Sequence, residues 1–199
     1  LYIDNLIKII FEYLRNVKKF QNNIITLNGD YVVTLKELIL LIKEFKANSN
    51  IYLTPTFHNK FISNLYSTYV SYLPKRKRKK SLKVIKDKRG SFAKIFKNKS
   101  FGQISLLEIK PNQIRGNHFH NSKIEKFYVI DGHAKFILKN LITEKNEDYL
   151  FNSKSNILFE MPPGYLHSIK NIGKIDLKIL IWSSQIYDKN NPDTFLINK

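Results

Sequence analysis

The sequence contains no cysteine in its 199 residues, which excludes disulfide staples and thiolate metal ligands. Any metal held here must be bound by histidine and carboxylate. No apolar run approaches the roughly 18 residues that a membrane span needs, and no signal peptide is visible. There is also no starting methionine. Leu1-Tyr2-Ile3-Asp4 reads as the middle of a longer chain, so an N-terminal part is expected to be missing, and with it any leader. Acidic residues are scarce, 16 Asp and Glu against 34 Lys and Arg, for a formal charge of +18. That excess raises a nucleic-acid reading, because Lys and Arg neutralise phosphates. Most of it, however, is Lys scattered among Asn and Ile, a compositional bias spread over a surface. Only Lys75-Arg76-Lys77-Arg78-Lys79-Lys80 is concentrated, and like charges at that density repel, which favours an extended, solvated linker over a nucleic-acid patch.

What is present falls into two regimes. Leu6, Ile9, Ile10, Tyr13 and Leu14 recur at helical spacing over 4–18, with Lys18 and Lys19 at the end where cations suit the dipole. Short β-rich runs follow at 23–27 and 31–33 around an Asn28-Gly29-Asp30 turn. Thr34-Leu35-Lys36-Glu37 has the form of a capping box, and Leu35, Leu38, Ile39, Leu41, Ile42 and Phe45 make an apolar helix behind it. A third helix is expected over 60–73, ending before Pro74. These elements are too few for a complete sheet domain, so their apolar faces need a partner. From Ser91 onward the pattern becomes short runs such as 102–109, 126–130, 134–138, 157–160, 168–169 and 177–182, rich in Ile, Phe, Val and Leu. Turn residues separate them, Asp131-Gly132 giving the strongest hairpin signal, as in an all-β sandwich or barrel.

Arg115-Gly116-Asn117-His118-Phe119-His120 lies in this second half. On a strand, side chains two apart point the same way, so His118 and His120 can reach one metal. Glu125 can join them if the chain bends at Asn121-Ser122, and Pro162-Pro163-Gly164 fixes a turn that delivers His167 onto another strand. Together with Gly132 and Asn171, this spacing resembles the two cupin motifs, which implies a jelly roll with His118, His120, Glu125 and His167 as metal ligands. The Gly that opens each cupin motif is replaced by Asn112 and Asn156; Asn tolerates left-handed backbone, so both turns are expected to survive. His58 and His133 read as surface residues, Trp182, Phe127 and Phe136 as core, and Lys126 and Tyr128 as outward-facing.

A narrower resemblance rests on Asp87-Lys88-Arg89-Gly90-Ser91-Phe92, Gly102-Gln103-Ile104-Ser105, Arg115 to Asn121, Glu125-Lys126-Phe127 and Pro192-Asp193-Thr194-Phe195. These strings look like the C-terminal cupin domain of the bifunctional capsular-polysaccharide enzymes related to CapF. Tyr2-Ile3-Asp4, Asn59-Lys60-Phe61, Leu65 to Tyr69 and Leu73-Pro74 are similar to the end of that family's short-chain dehydrogenase/reductase (SDR) domain. The implied fold is mainly β: a cupin jelly-roll barrel over 87–199, a basic linker at 75–86, and over 1–74 an incomplete α/β segment, the C-terminal end of a Rossmann-type domain.

The resemblance implies a zinc cupin, or one holding another divalent metal, that epimerises C3 of a UDP-4-keto-6-deoxy-N-acetylhexosamine towards UDP-N-acetyl-L-fucosamine. It implies a cytoplasmic homodimer joined through the cupin domain, with no membrane or nucleic-acid partner. The family's reductase uses NADPH, but no Gly-rich dinucleotide fingerprint and no Tyr-x-x-x-Lys pair precedes the cupin here, so NADPH belongs to the missing part. Arg115 and Lys123 are expected to meet the diphosphate. The general base is open. Arg115-Gly116-x-His118 is also similar to the metal-free dTDP-sugar 3,5-epimerases, in which that His is the base; if His118 is a ligand instead, a metal-bound hydroxide or a tyrosine takes the role. Gln185 stands where the family pattern leads one to expect Glu, and an amide cannot carry a proton in its place. A metal-free nucleotide-sugar epimerase or isomerase, and a non-enzymatic sugar-binding or dimerisation remnant, are the alternatives.

Overall fold

The computed structural model describes residues 2–16, 24 and 26–197. They divide into two compact units, Leu1–Ala47 with Phe57–Arg78, and Asn48–Thr56 with Lys79–Lys199.

In the first unit, α1 (Ile3–Arg15) and α2 (Leu35–Ser49) follow the expected apolar periodicity. Thr34 and Glu37 close the capping box reciprocally. Glu37 Oε2 accepts from Thr34 N at 2.7 Å, and Thr34 Oγ1 accepts from Glu37 N at 3.2 Å, so orphan donors of the first turn are satisfied. α3 (Lys60–Ser71) starts on Asn59, whose Oδ1 accepts from Ile62 N at 2.9 Å. Phe45 seats this unit's small core edge-on against Tyr66, with centroids 5.1 Å apart. The basic run departs from expectation: Lys75–Arg78 forms one helical turn, α4, after Pro74. Arg78 turns back to donate to Leu73 O and Ser71 O at the end of α3, so its charge caps open carbonyls. The expected strand at 31–33 is not formed, because among the described residues of this unit no other strand offers it a ladder. Lys18, Lys19 and part of the 23–27 run lie outside the described residues. Ile3, Phe11, Leu14, Leu35 and Leu40 leave apolar helix faces exposed.

The second unit is a jelly roll of two sheets. Its strands are β1 (Leu53–Thr54), β2 (Val84–Asp87), β3 (Gly90–Asn98), β4 (Gly102–Ile109), β5 (Ile114–Phe119), β6 (Glu125–Asp131), β7 (His133–Asn140), β8 (Asn146–Asn152), β9 (Leu158–Met161), β10 (Tyr165–Asn171), β11 (Leu177–Ser183) and β12 (Phe195–Leu196). One sheet runs β1-β3-β4-β11-β6-β9 with β2 on β3, and the other runs β12-β5-β10-β7-β8. Strands distant in sequence are neighbours, β4 with β11 and β5 with β10, as Greek-key connections require. Alternate residues point inward, so Leu107, Ile109, Phe127, Val129, Phe136, Leu138, Ile169, Leu177 and Ile179 fill the space between the sheets. Each fully buried side chain of this kind contributes roughly 1.5–3 kcal/mol.

Phe127 and Phe136 are core as expected, and His58 and His133 are exposed. Trp182 is not core: it alternates with buried Ile181 onto the outer face of β11, where Nε1 donates to Phe101 O at 2.7 Å and Lys126 Nζ lies 5.8 Å from the ring centroid. Both substituted turns survive in left-handed backbone, Asn112 at φ 62° and Asn156 at φ 50°. β8 was not legible, since its polar residues face outward along a sheet edge.

Asn171 knots the turn that closes β10. Its buried Nδ2 donates to Ile109 O at 2.7 Å and Ile175 O at 2.8 Å, and its Oδ1 accepts from Gly173 N at 2.8 Å. Asn171→Leu would bury these groups unpaired and should cost about 2–5 kcal/mol. Urea unfolding followed through Trp182 emission measures this, and an unchanged midpoint would contradict the assignment.

Candidate metal centre

The site forms where β5 and β10 meet. Their register sets His118 opposite His167, and it shifts between His167 and Ser168 through a local irregularity that Gly116 accommodates. Gly116 sits at φ +104°, and a Cβ there would lie 2.7 Å from His167 O, so only glycine allows the two backbones this close. Just past β5, His120 is held to the second motif by Gly164 N, which donates to His120 O at 2.8 Å. The chain then turns and enters β6, in the other sheet, with Glu125 as its first residue. One ligand atom from each of His118, His120, Glu125 and His167 lies within 4.8 Å of all the others. The fold thus brings together the four residues that the sequence singled out.

The hydrogen bonds around the cluster decide which ring nitrogens face it. His120 Nδ1 lies 2.6 Å from Asp193 O, and His167 Nδ1 lies 3.1 Å from Tyr165 O. A carbonyl can only accept, so in both rings Nδ1 carries the proton and Nε2 presents a lone pair inward. Glu125 Oε1 accepts from Ser183 Oγ at 2.8 Å, which leaves Oε2 at 3.4 Å from His120 Nε2 and 3.7 Å from His167 Nε2. His120 Nε2 is buried with no hydrogen-bond partner among the described residues. Buried polar atoms are rarely left so, and a lone pair aimed at other lone pairs asks for a cation. Three imidazoles and a carboxylate are a donor set suited to zinc.

Electrostatics favour the metal-ready protonation state. Burial, reinforced by the other two imidazoles, pushes His118 from its ordinary 6.5 down to about 4. Burial lowers His167 as well, with Glu125 pulling the other way. Burial would raise Glu125, but the His120 and His167 rings and the Ser183 hydroxyl hold it at about 2. At neutral pH, His118 and His167 are neutral beside an ionised carboxylate.

The cluster opens into a cavity of about 410 Å³ between the sheets. Arg115, Lys123 and Lys94 contribute cations to its lining, and Tyr187 and Gln185 lie on the same lining. Lys123 is 5% exposed, its Nζ donating to Thr194 Oγ1 at 2.7 Å and Pro192 O at 3.2 Å. Arg115 Nη2 pairs with Asp87 Oδ1 at 2.8 Å, while its Nε is buried with no partner among the described residues. Burial lowers the pKa of Arg115, Lys123 and Lys94 alike. Lys94 forms no ion pair among the described residues; its Nζ stands 4.6 Å from the centroid of the Tyr187 ring. Gln185 Nε2 donates to Ser122 Oγ at 3.1 Å, at the cavity rim.

Sequence reasoning missed Lys94, Tyr187, Ser183 and the part played by Asp87 and Asp193. The last two lay in strings that carried the family resemblance, but their partners are strands away. Lys94 and Tyr187 gave no motif signal at all.

The polysaccharide biosynthesis C-terminal domain family matches residues 85–195. Over 195 residues, 98% of this chain and 52% of the relative, the sequence is 30% identical to a UDP-2-acetamido-2,6-beta-L-arabino-hexul-4-ose reductase of Pseudomonas aeruginosa. A spore coat polysaccharide biosynthesis protein, SpsL of Bacillus subtilis, is 25% identical over 117 residues, 54% of this chain and 78% of that protein. Among solved structures, the capsular polysaccharide assembling protein CapF from Staphylococcus aureus superposes with a TM-score of 0.88 at 30% identity, covering 100% of this chain and 55% of that one. A CapF structure with the inhibitor 3-isopropenyl-tropolone gives a TM-score of 0.90 at 31% identity, covering 100% and 57%. The chain therefore spans about half the length of the Pseudomonas relative and of these CapF chains. No described helix is long and apolar enough to cross a membrane. With the jelly roll and both cupin motifs in place, the chain belongs to the polysaccharide biosynthesis C-terminal domain family, in its CapF-type form.

Proposed function

We propose that this chain is the cupin-bearing half of a nucleotide-sugar enzyme. It binds zinc through His118, His120, Glu125 and His167 and epimerises C3 of a UDP-4-keto-6-deoxy-N-acetylhexosamine, on the way to UDP-N-acetyl-L-fucosamine for a surface polysaccharide. The observation that carries this reading is the convergence of three imidazoles and a carboxylate around a buried, unpartnered Nε2. A metal-free epimerase leaves that nitrogen unanswered. It also asks His118, pushed down to about 4, to serve as a base at neutral pH, where an efficient base titrates near 7.

Zinc bound there would supply Lewis-acid stabilisation to a carbonyl oxygen as charge develops on it. The remaining work falls to the chain's own side chains. Ser183 fixes one oxygen of Glu125 and so orients the other. Arg115 and Lys123 present fixed positive charge to the diphosphate, with Lys94 as a third cation in the same cavity. Tyr187 is our candidate base, a tyrosine on the cavity lining whose ring centroid lies 4.6 Å from the Lys94 ammonium. The C3 proton passes to the Tyr187 oxygen, the electron pair delocalises towards O4, and solvent delivers a proton to the other face and takes the one from Tyr187 in turn, which inverts the carbon.

The first unit is read as the end of an SDR reductase domain, supported by 30% identity to the Pseudomonas reductase along 98% of the chain. NADPH binding is assigned outside these residues. A homodimer through the cupin unit fits the exposed Leu150, Ile157 and Leu158 on and beside the edge strands β8 and β9, and the cytoplasm is the compartment expected for a UDP-sugar enzyme.

Metal analysis of the purified protein should find about one zinc per chain, lost in His120→Ala and His167→Ala. With zinc loaded and a UDP-4-keto-6-deoxy sugar in D2O, deuterium should enter C3, and Tyr187→Phe should slow this roughly 10²- to 10⁴-fold with zinc retained. Folded, zinc-loaded protein that never labels C3 would sink the epimerase. Acid titration gives a further check. Between 6.5 and about 4 the unfolded chain protonates His118 while the folded chain does not, so metal-free protein should lose stability as pH falls through that window. Melting curves of His118→Gln should lack that part of the loss, and equal pH dependence in both proteins would count against the assigned environment.

A further inference from the structure

The segment from Pro192 to Phe195 folds back onto residues about 70 positions earlier, and its polar atoms bind the chain from His120 to Lys123. The Asp193 carboxylate accepts from Asn121 N at 2.8 Å, Ser122 N at 3.0 Å, Ser122 Oγ at 2.8 Å and Lys123 N at 2.8 Å. Its own backbone carbonyl lies 2.6 Å from His120 Nδ1. The next residue, Thr194, accepts from the Lys123 ammonium at 2.7 Å and donates to Pro192 O at 3.0 Å. Phe195 then stacks on Phe119, centroids 5.2 Å apart, and pairs with it as β12 joins β5. One short segment thus touches a candidate metal ligand and a candidate phosphate-binding lysine through adjacent residues.

We propose that Asp193 is a positioning residue for the metal centre, acting through His120, and that Thr194 is a positioning residue for the anion subsite, acting through Lys123. This rests on the zinc reading of the four-residue cluster. An imidazole on a flexible side chain has two tautomers and can rotate about its last bond. A carbonyl at 2.6 Å selects the Nδ1-protonated form and leaves Nε2 for the metal. That carbonyl is only as well placed as the backbone carrying it, and the carboxylate of the same residue pins that backbone to the loop between His120 and Glu125. The donors from Asn121, Ser122 and Lys123 converge on that one carboxylate, so the clamp is made of four hydrogen bonds. The two acceptors of Lys123, Thr194 Oγ1 and Pro192 O, are both neutral. The lysine is therefore aimed by neutral acceptors; the Asp193 and Glu125 carboxylates act on its charge through space and form no ion pair with it among the described residues.

The two roles separate by substitution. Asp193→Asn keeps the shape but turns an amide towards backbone N–H donors. It should weaken zinc binding roughly 10- to 100-fold in chelator competition, with Trp182 emission reporting that the unit is folded. Thr194→Val should leave zinc affinity within about two-fold and weaken binding of UDP, titrated calorimetrically into metal-free protein, roughly tenfold. An Asp193→Asn protein that melts earlier yet binds zinc like the parent would reduce Asp193 to a structural staple and overturn its proposed role. Thr194→Val binding UDP like the parent would overturn the other. Folded parent protein that binds no zinc would instead overturn the metal reading itself. Should Asp193→Asn not fold, long-range proton–nitrogen spectra of the metal-free parent decide: His120 protonated on Nδ1 is expected, and protonation on Nε2 would refute the positioning role.

Discussion

The register between β5 and β10 is the constraint on which the rest of the site depends. It sets His118 across from His167, and a slip of one residue in either strand would turn that strand's imidazole to the outer face of the barrel. Gly116 makes that register attainable by letting the strands approach where any side chain would strike the His167 carbonyl. Glu125 then needs only the turn after His120 to arrive from the opposite sheet, and the Gly164 bond to His120 ties the two motifs at the same level.

Around that centre the cavity is asymmetric in charge. His118 and His167 are kept neutral by burial and by the neighbouring imidazoles, and Glu125 is kept ionised, while Arg115, Lys123 and Lys94 line a space in which, among the described residues, the one carboxylate is that of Glu125. Burial lowers the pKa of Arg115, Lys123 and Lys94, and an anionic ligand would favour their charged forms. The scattered surface lysines thus differ from the three cations that line the cavity.

Much of this could be read from the sequence, for a physical reason: the residues concerned are constrained by neighbours close in sequence. His118 and His120 share a strand face, Thr34 and Glu37 a helix turn, and Asn112 and Asn156 occupy left-handed positions that few other residues accept. What stayed hidden depends on partners far along the chain. Trp182 has a core residue's composition signal, but strand parity puts it outside, and Arg78 sits in a run that looks unstructured until its guanidinium finds the end of α3. Asp193 was visible as a letter in a familiar string, and its contact with His120 exists only once the last strand is laid on β5.

The central claim is that the four residues converge to hold one metal ion. X-ray absorption at the zinc edge of the purified, zinc-loaded protein tests it most directly. Three imidazole nitrogens and a carboxylate oxygen at about 2.0–2.2 Å from the zinc are expected. A spectrum with fewer than three imidazoles, or one matching zinc in water or buffer, would contradict it.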